Sequence, residues 1–134
     1  MLAEDICAVL SAAGVGTAGV NLFAGFLPDA PDAASVVYET GGSAPTMAMR
    51  ATVGAVVENP SVQVVSRALA YDEAAARATS HTAWKALCGL PDQTVNGTRY
   101  LWALPIQSPF LMGRDEAGRV LIAFNADVVK EVSA

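Results

Sequence analysis

Charge is scarce in this sequence. Lys and Arg number 8 and Asp and Glu 13, so charged residues make up 16% of the chain, against roughly 25% in an average soluble domain. No run of basic residues occurs and the formal net charge is −5, so the chain lacks the cationic footprint that neutralising phosphates requires. It is not expected to grip nucleic acid. No apolar stretch reaches the roughly 18 consecutive residues of a membrane-spanning helix, and no membrane partner is expected. A secretory leader would need a basic start and an apolar run, but Met1 to Asp5 is acidic and glycines break the segment that follows. Assembly in a cytoplasm is the expectation.

Chemistry-bearing groups are equally sparse. His81 is the only histidine, and a histidine-based metal site would need ligands from elsewhere at a spacing the sequence does not show. No GxSxG nucleophile motif occurs. Cys7 and Cys88 lack CxxC spacing and fall on what read as separate helices, so buried free thiols are expected in a reducing compartment. Asp115 and Glu116 are adjacent carboxylates beside Arg114 and Arg119 on a turn, where solvated charges explain them. Gly14-Val15-Gly16-Thr17-Ala18-Gly19 satisfies GxGxxG, but a dinucleotide fingerprint needs a strand before it and a helix after it. Here a helix precedes and a short apolar run with Pro28 follows. Asn96-Gly97-Thr98 spells a glycosylation acceptor, yet without a leader the tight-turn reading prevails. No catalytic residue, cofactor or metal is expected, and the chain reads as no enzyme.

What the sequence does have is apolar surface. Hydrophobic residues make up 53% of 134 residues, a length that suits a single domain spanning residues 1–134. Either other subunits cover part of that surplus, or alanines on exposed helix faces account for it.

The order of elements is legible. Leu2, Ile6, Val9, Leu10 and Ala13 form a helical stripe, with Glu4 and Asp5 near the favourable N-terminal end of the dipole and Gly14 as a stop. Val20 to Phe23 fits a short strand or an extended linker, and Pro28 to Asp32 is a Pro/Asp-rich connection. Ser35 to Thr40 is β-branched and aromatic, a strand. Gly41 to Pro60 has no clear period and is expected to be a long loop, either functional or ordered by another molecule. In Ser61 to Leu69, Val62, Val64 and Ser66 face one way and Gln63, Val65 and Arg67 the other. Asp72 offers an N-cap for a helix over Ala74 to Cys88 ended by Gly89. Asn96-Gly97 predicts a tight hairpin into a strand over Thr98 to Leu104. Arg114 to Gly118 is a polar turn, and Arg119 to Phe124 returns as a strand. This order predicts an α+β fold, a mostly antiparallel sheet with two helices packed on one face.

Several short words in fixed order resemble a known family. They are Tyr38-Glu39-Thr40-Gly41-Gly42, Glu58-Asn59-Pro60-Ser61-Val62-Gln63-Val64 with Arg67, Leu87-Cys88-Gly89-Leu90, Asn96-Gly97, Tyr100-Leu101-Trp102, Gln107-Ser108-Pro109-Phe110, Gly113-Arg114-Asp115-Glu116 and Gly118-Arg119. Together they are similar to the phage minor capsid proteins that act as tail terminators in non-contractile tailed phages. The likeness runs from about Val36 to Val128 and departs most over Ser43 to Val57. It implies a structural virion protein that forms a homo-oligomeric ring, usually a hexamer, capping the completed tail tube and joining it to the head connector or completion protein. Double-stranded DNA would pass through without specific binding, and an acidic net charge suits such a channel. Another head–tail completion protein of similar fold, or a small-ligand domain using the glycine loop, are the competing readings. For partner contacts the loop residues Met47, Met49 and Arg50 are candidates against a plain surface loop, and Arg114, Asp115 and Glu116 against ordinary solvated charges.

Overall fold

The computed structural model describes residues 2–47 and 55–132. Its elements in chain order are α1 (Leu2–Ala12), β1 (Leu22–Ala24), β2 (Ala34–Met47), β3 (Ala55–Ala68), α2 (Glu73–Cys88), β4 (Gln93–Val95), β5 (Thr98–Pro105), β6 (Phe110–Arg114) and β7 (Val120–Glu131). The strands form one seven-stranded sheet in the order β1-β2-β3-β7-β5-β4, with β6 also paired to β7. Only the β1–β2 pair is parallel; the other pairs are antiparallel. The fold is α+β, as the element order predicts.

Alternation along the central strands decides what each face carries. Val62 and Val64 of β3 and Phe124, Ala126 and Val128 of β7 join Val37 of β2 and Tyr100 and Ala103 of β5 in one buried cluster. Leu2, Ile6, Cys7 and Leu10 of α1 and Ala83 and Leu87 of α2 pack into the same cluster, so both helices cover one face. Ser66, expected on this face, hydrogen-bonds the Ser35 hydroxyl at 3.1 Å and so brings its polar group inside at little cost. On the opposite face Val36, Val65 and Ala123 are buried beneath Phe23, Leu27, Tyr38 and Leu121. The α2 start is capped as the sequence suggests, with the Asp72 carboxylate accepting from the Ala75 N–H at 3.4 Å.

Asp5 is a departure from the simple stripe. It points inward, where the Tyr100 hydroxyl donates to one carboxylate oxygen and Asn96 Nδ2 donates to the other at 2.8 Å. Burial, then the hydrogen bond to Asp5, push the Tyr100 phenol pKa well above its ordinary value. Asn96 and Gly97 both take left-handed φ values, 49° and 84°, as a two-residue type I′ hairpin demands. The same turn that joins β4 to β5 thus supplies a ligand to α1.

One expectation needs correction, and one strand is absent from the sequence reading. The long loop over Gly41 to Pro60 is strand at both ends: β2 continues to Met47 and β3 begins at Ala55, with Gly42 opposite Pro60, Ser43 opposite Asn59 and Thr46 opposite Val57. Register shifts between Glu39 and Gly41 and between Ser43 and Thr46 break the period-two pattern on which strands are recognised. Gly42, at φ 131°, is required there, since a Cβ would lie 2.3 Å from the Asn59 carbonyl oxygen. β6, over Phe110–Arg114, is a strand that the sequence pattern does not announce. The chain leaves β7 at Pro105, passes through Ile106–Pro109, and pairs with β7 again from Phe110 to Arg114. Ile106 N–H donates to the Asn125 carbonyl at 2.8 Å across this interruption.

Candidate assembly surfaces

The groups that most resemble chemistry are occupied by structure. Gly14 and Gly19 take φ values of 86° and 83° in the turn that ends α1. Asn21 Oδ1 accepts from the Thr17 N–H at 2.7 Å and lies where a Cβ on Gly16 would fall. A helix precedes this glycine loop and β1 follows, the reverse of a dinucleotide-binding turn. His81 stacks on Trp84 with centroids 5.5 Å apart, and Trp84 Nε1 donates to the Gln107 carbonyl at 2.9 Å, tying α2 to the link between β5 and β6. Among the described residues, no group of three or more His, Cys, Asp and Glu side chains could hold a metal ion.

Both cysteines are free thiols, but only Cys7 is buried. Cys88 ends α2 on the side away from buried Leu87 and is exposed, which corrects the expectation of two buried thiols. Burial, then Glu4, push the Cys7 pKa up to about 11, and its thiol donates to the Phe23 carbonyl at 3.3 Å. A maleimide titration at neutral pH should therefore modify Cys88 at least about a hundredfold faster than Cys7 in the native protein, because the thiolate is the reacting form.

The turn from Arg114 to Gly118 belongs to a larger polar cluster. Asp115 accepts from the Ala117 N–H at 3.0 Å, the Arg119 N–H at 2.9 Å and Arg119 Nε at 2.7 Å. Desolvation opposes its charge, but the backbone and side-chain hydrogen bonds from Arg119 outweigh it and hold the carboxyl pKa below the usual value. Arg119 also reaches Asp29 Oδ1 at 2.8 Å and Asp32 Oδ1 at 3.2 Å. Beside it, Arg67 donates to the carbonyls of Asp32 at 2.9 Å, Pro28 at 2.7 Å and Pro31 at 2.5 Å. Two arginines, Arg67 of β3 and Arg119 just before β7, thus clamp the Pro/Asp-rich connection across the sheet face that the helices leave open. Burial and the adjacent Arg119 lower the Arg67 pKa, and the three aspartates work against that. Above the clamp lies a cleft of about 760 Å³ with Phe26, Leu27, Tyr38 and Leu121 as its apolar walls.

Of the sequence-predicted contact residues, Arg114 donates to the carbonyls of Ala70 at 3.0 Å and Gly118 at 3.1 Å, and Asp115 is engaged by Arg119. Glu116 projects from the turn, exposed. Met47 ends β2, while Met49 and Arg50 lie outside the described residues. The turn and the described ends of β2 and β3 at Met47 and Ala55 lie at opposite ends of the sheet, since Ala68 pairs Val120 while Val57 pairs Glu131.

A surface the sequence reading missed is the outer side of β5 and β6. Trp102, Leu104, Ile106, Phe110, Leu111 and Met112 are all exposed, Ile106 at 58% and Leu104 at 55%. β4 pairs only with Thr98 to Tyr100 of β5, and β6 pairs only with β7. Beyond β4, among the described residues, the outer backbone of both strands is unpaired. Unpaired edges with large apolar side chains are what a monomer normally protects. The available signal was the run Phe110-Leu111-Met112 between Pro109 and Gly113.

The model of the bacteriophage tail terminator protein family matches residues 9–132. The chain belongs to that family. A tail terminator is a structural protein of the phage particle, so membership places the chain in the virion and in a family that is structural and not enzymatic. Among solved structures, a chain described as "virion of native gene transfer agent (GTA) particle" superposes with a TM-score of 0.61 and 19% identity, covering 93% of this chain and 86% of that one. At that identity the likeness is one of fold. Comparison with curated proteins finds no match. In the tail-terminator fold as seen here, the glycine loop ends a helix, the arginine pair fixes a connection, and the β5–β6 edge leaves large apolar side chains exposed.

Proposed function

We propose that copies of this tail terminator close into a ring, hexameric on the resemblance read from its sequence, that caps the completed tail tube and joins it to the head connector. The observation that carries this reading is the β5–β6 edge, whose exposed apolar side chains and unpaired backbone require cover that the described chain does not provide. A closed ring covers such an edge in every subunit, because each copy uses one surface as donor and another as acceptor. Capping is then an event of binding and shape, with no bond made or broken. The extended β2–β3 pair with Met47, together with the sequence between the two strands that contains Met49 and Arg50, is the element that meets the tube or the connector, and Arg114 and Glu116 add polar contacts at the turn on the opposite end of the sheet. The acidic lumen this chain can offer lets DNA pass without counterion-release binding.

Native mass measurement and negative-stain imaging of the purified protein, alone and with tail tubes, test the reading. A discrete oligomer near six subunits and rings seated on tube ends are the expected results. A protein that stays monomeric at high concentration and leaves tubes bare contradicts it, and a protein that joins filled heads instead of tubes points to a connector-completion role.

A further inference from the structure

We infer that neighbouring copies in the ring meet head to tail, the β5–β6 edge of one copy packing on the flank of the next that carries α1, β1 and the segment after β1. This rests on the ring reading above and specifies which two surfaces make the contact.

The charges of the chain are divided along the strand order. No Lys, Arg or His precedes Arg50, whereas Glu4, Asp5, Asp29, Asp32 and Glu39 all do. That part of the chain builds α1, β1 and β2, at one end of the sheet order. From Glu73 to Arg114, which covers β4 to β6 at the other end and α2, packed on β3, β7 and β5, Arg77, Lys85, Arg99 and Arg114 stand against Glu73 and Asp92, a balance of 4 − 2 = +2, with Arg77 paired to Glu73 and Arg99 to Asp92 and Glu131. Between the two ends lie β3 and β7.

Ion pairs inside the chain leave this polarity in place. Arg119 partly neutralises Asp29 and Asp32, but the exposed Glu4 and Glu39 have no ion pair among the described residues, and neither have Lys85 and Arg114. Two copies joined through the same end would oppose like charges. Joined by opposite ends, they place acidic against basic, which favours the heterologous contact that closes a ring over a two-fold dimer.

The apolar side chains fit the same pairing. Opposite the β5–β6 edge in strand order, Val20 and Phe26 flank β1 and are 62% and 70% exposed. β1 is also the terminal strand of the sheet order; its outer side is bridged at Leu22 to Ala18, so what this flank offers a partner is the two exposed apolar side chains.

Cross-linking decides the geometry. In a Cys88→Ser background, Phe26→Cys and Ile106→Cys are made separately and together, assembled alone and on tail tubes, and treated with a bis-maleimide carrying a flexible spacer. The double variant is expected to give a ladder on a denaturing gel up to the full ring, and each single variant to stay at monomer mass. Raising the salt from about 50 mM to about 500 mM should raise the concentration for half-assembly several-fold, since exposed charges are screened. If Ile106→Cys alone yields dimers, the contact is two-fold and the inference fails. If the parent forms rings but the double variant gives no ladder, the ring reading stands and this contact is wrong. A parent monomeric alone and on tubes removes both.

Discussion

Arg67→Met lowers the free energy of unfolding by about 3 kcal/mol, the scale of several hydrogen bonds from one charged, desolvated donor. Methionine keeps most of the apolar stem against the sheet, so the loss reports the guanidinium and not a cavity. Four carbonyls, those of Pro28, Asp29, Pro31 and Asp32, lose a shared donor, and the connection they belong to is otherwise held by Arg119. Arg67→Lys recovers less than half, because a single ammonium does not present the planar fork that spans separate carbonyls. Urea denaturation gives the stability change, and limited proteolysis should show cleavage near residues 28–32 in the variant before global unfolding. An unchanged midpoint would mean that water replaces the arginine without loss. Lys85→Met, a change at an exposed side chain without an ion pair among the described residues, should stay within about 0.5 kcal/mol of the parent.

The same clamp carries a pH dependence through Asp115. Its carboxyl titrates below the ordinary value of 3.8 in the folded chain. A depressed folded pKa gives stability that is fully present above the unfolded value and is lost as the pH falls through the lower folded one. The parent should therefore lose stability more steeply than Asp115→Asn as the pH drops through and below about 4, which thermal melts across that window measure.

Ile106→Asp combined with Leu111→Asp is expected to abolish assembly while leaving the monomer folded. Both side chains are already half exposed or more, 58% and 50%, so a carboxylate there stays hydrated in the free subunit and alters its stability little. In a closed contact the same carboxylates are desolvated without partners, at a cost of several kcal/mol. Across every interface of a ring this should shift half-assembly by at least about a thousandfold in concentration. Far-UV circular dichroism and a melting curve near the parent's, together with monomer mass and tubes of uncontrolled length, are the expected results. Retention of rings by the folded variant would relieve the β5–β6 edge of the role proposed for it.

Local signals were readable wherever one short stretch held both the pattern and its punctuation. The stripe of α1, the Asp72 cap, the alternation of β3 and the Asn96-Gly97 turn are of this kind, and the ordered words that resemble tail terminators lie along those elements. The extension of β2 and β3 was hidden because bulges and Gly42 interrupt the period, although cross-strand pairing continues. β6 was hidden because its partner in β7 makes it a strand, and no local propensity announces that pairing. Asp5 read as a dipole-stabilising acid at a helix start. Its burial depends on Tyr100 and Asn96, which are remote in sequence.

By itself, then, the sequence determined the helices, the main strands and the fold class, because side-chain period and turn chemistry act over a few neighbouring residues. It also determined the low charge and the apolar surplus. Tertiary structure alone decided where that surplus emerges, on the β5–β6 edge, and which charges are consumed, with Asp115, Asp29 and Asp32 drawn to Arg119. Both outcomes depend on residues far apart in the chain meeting across a sheet, and pairing at that distance is a property of the whole fold.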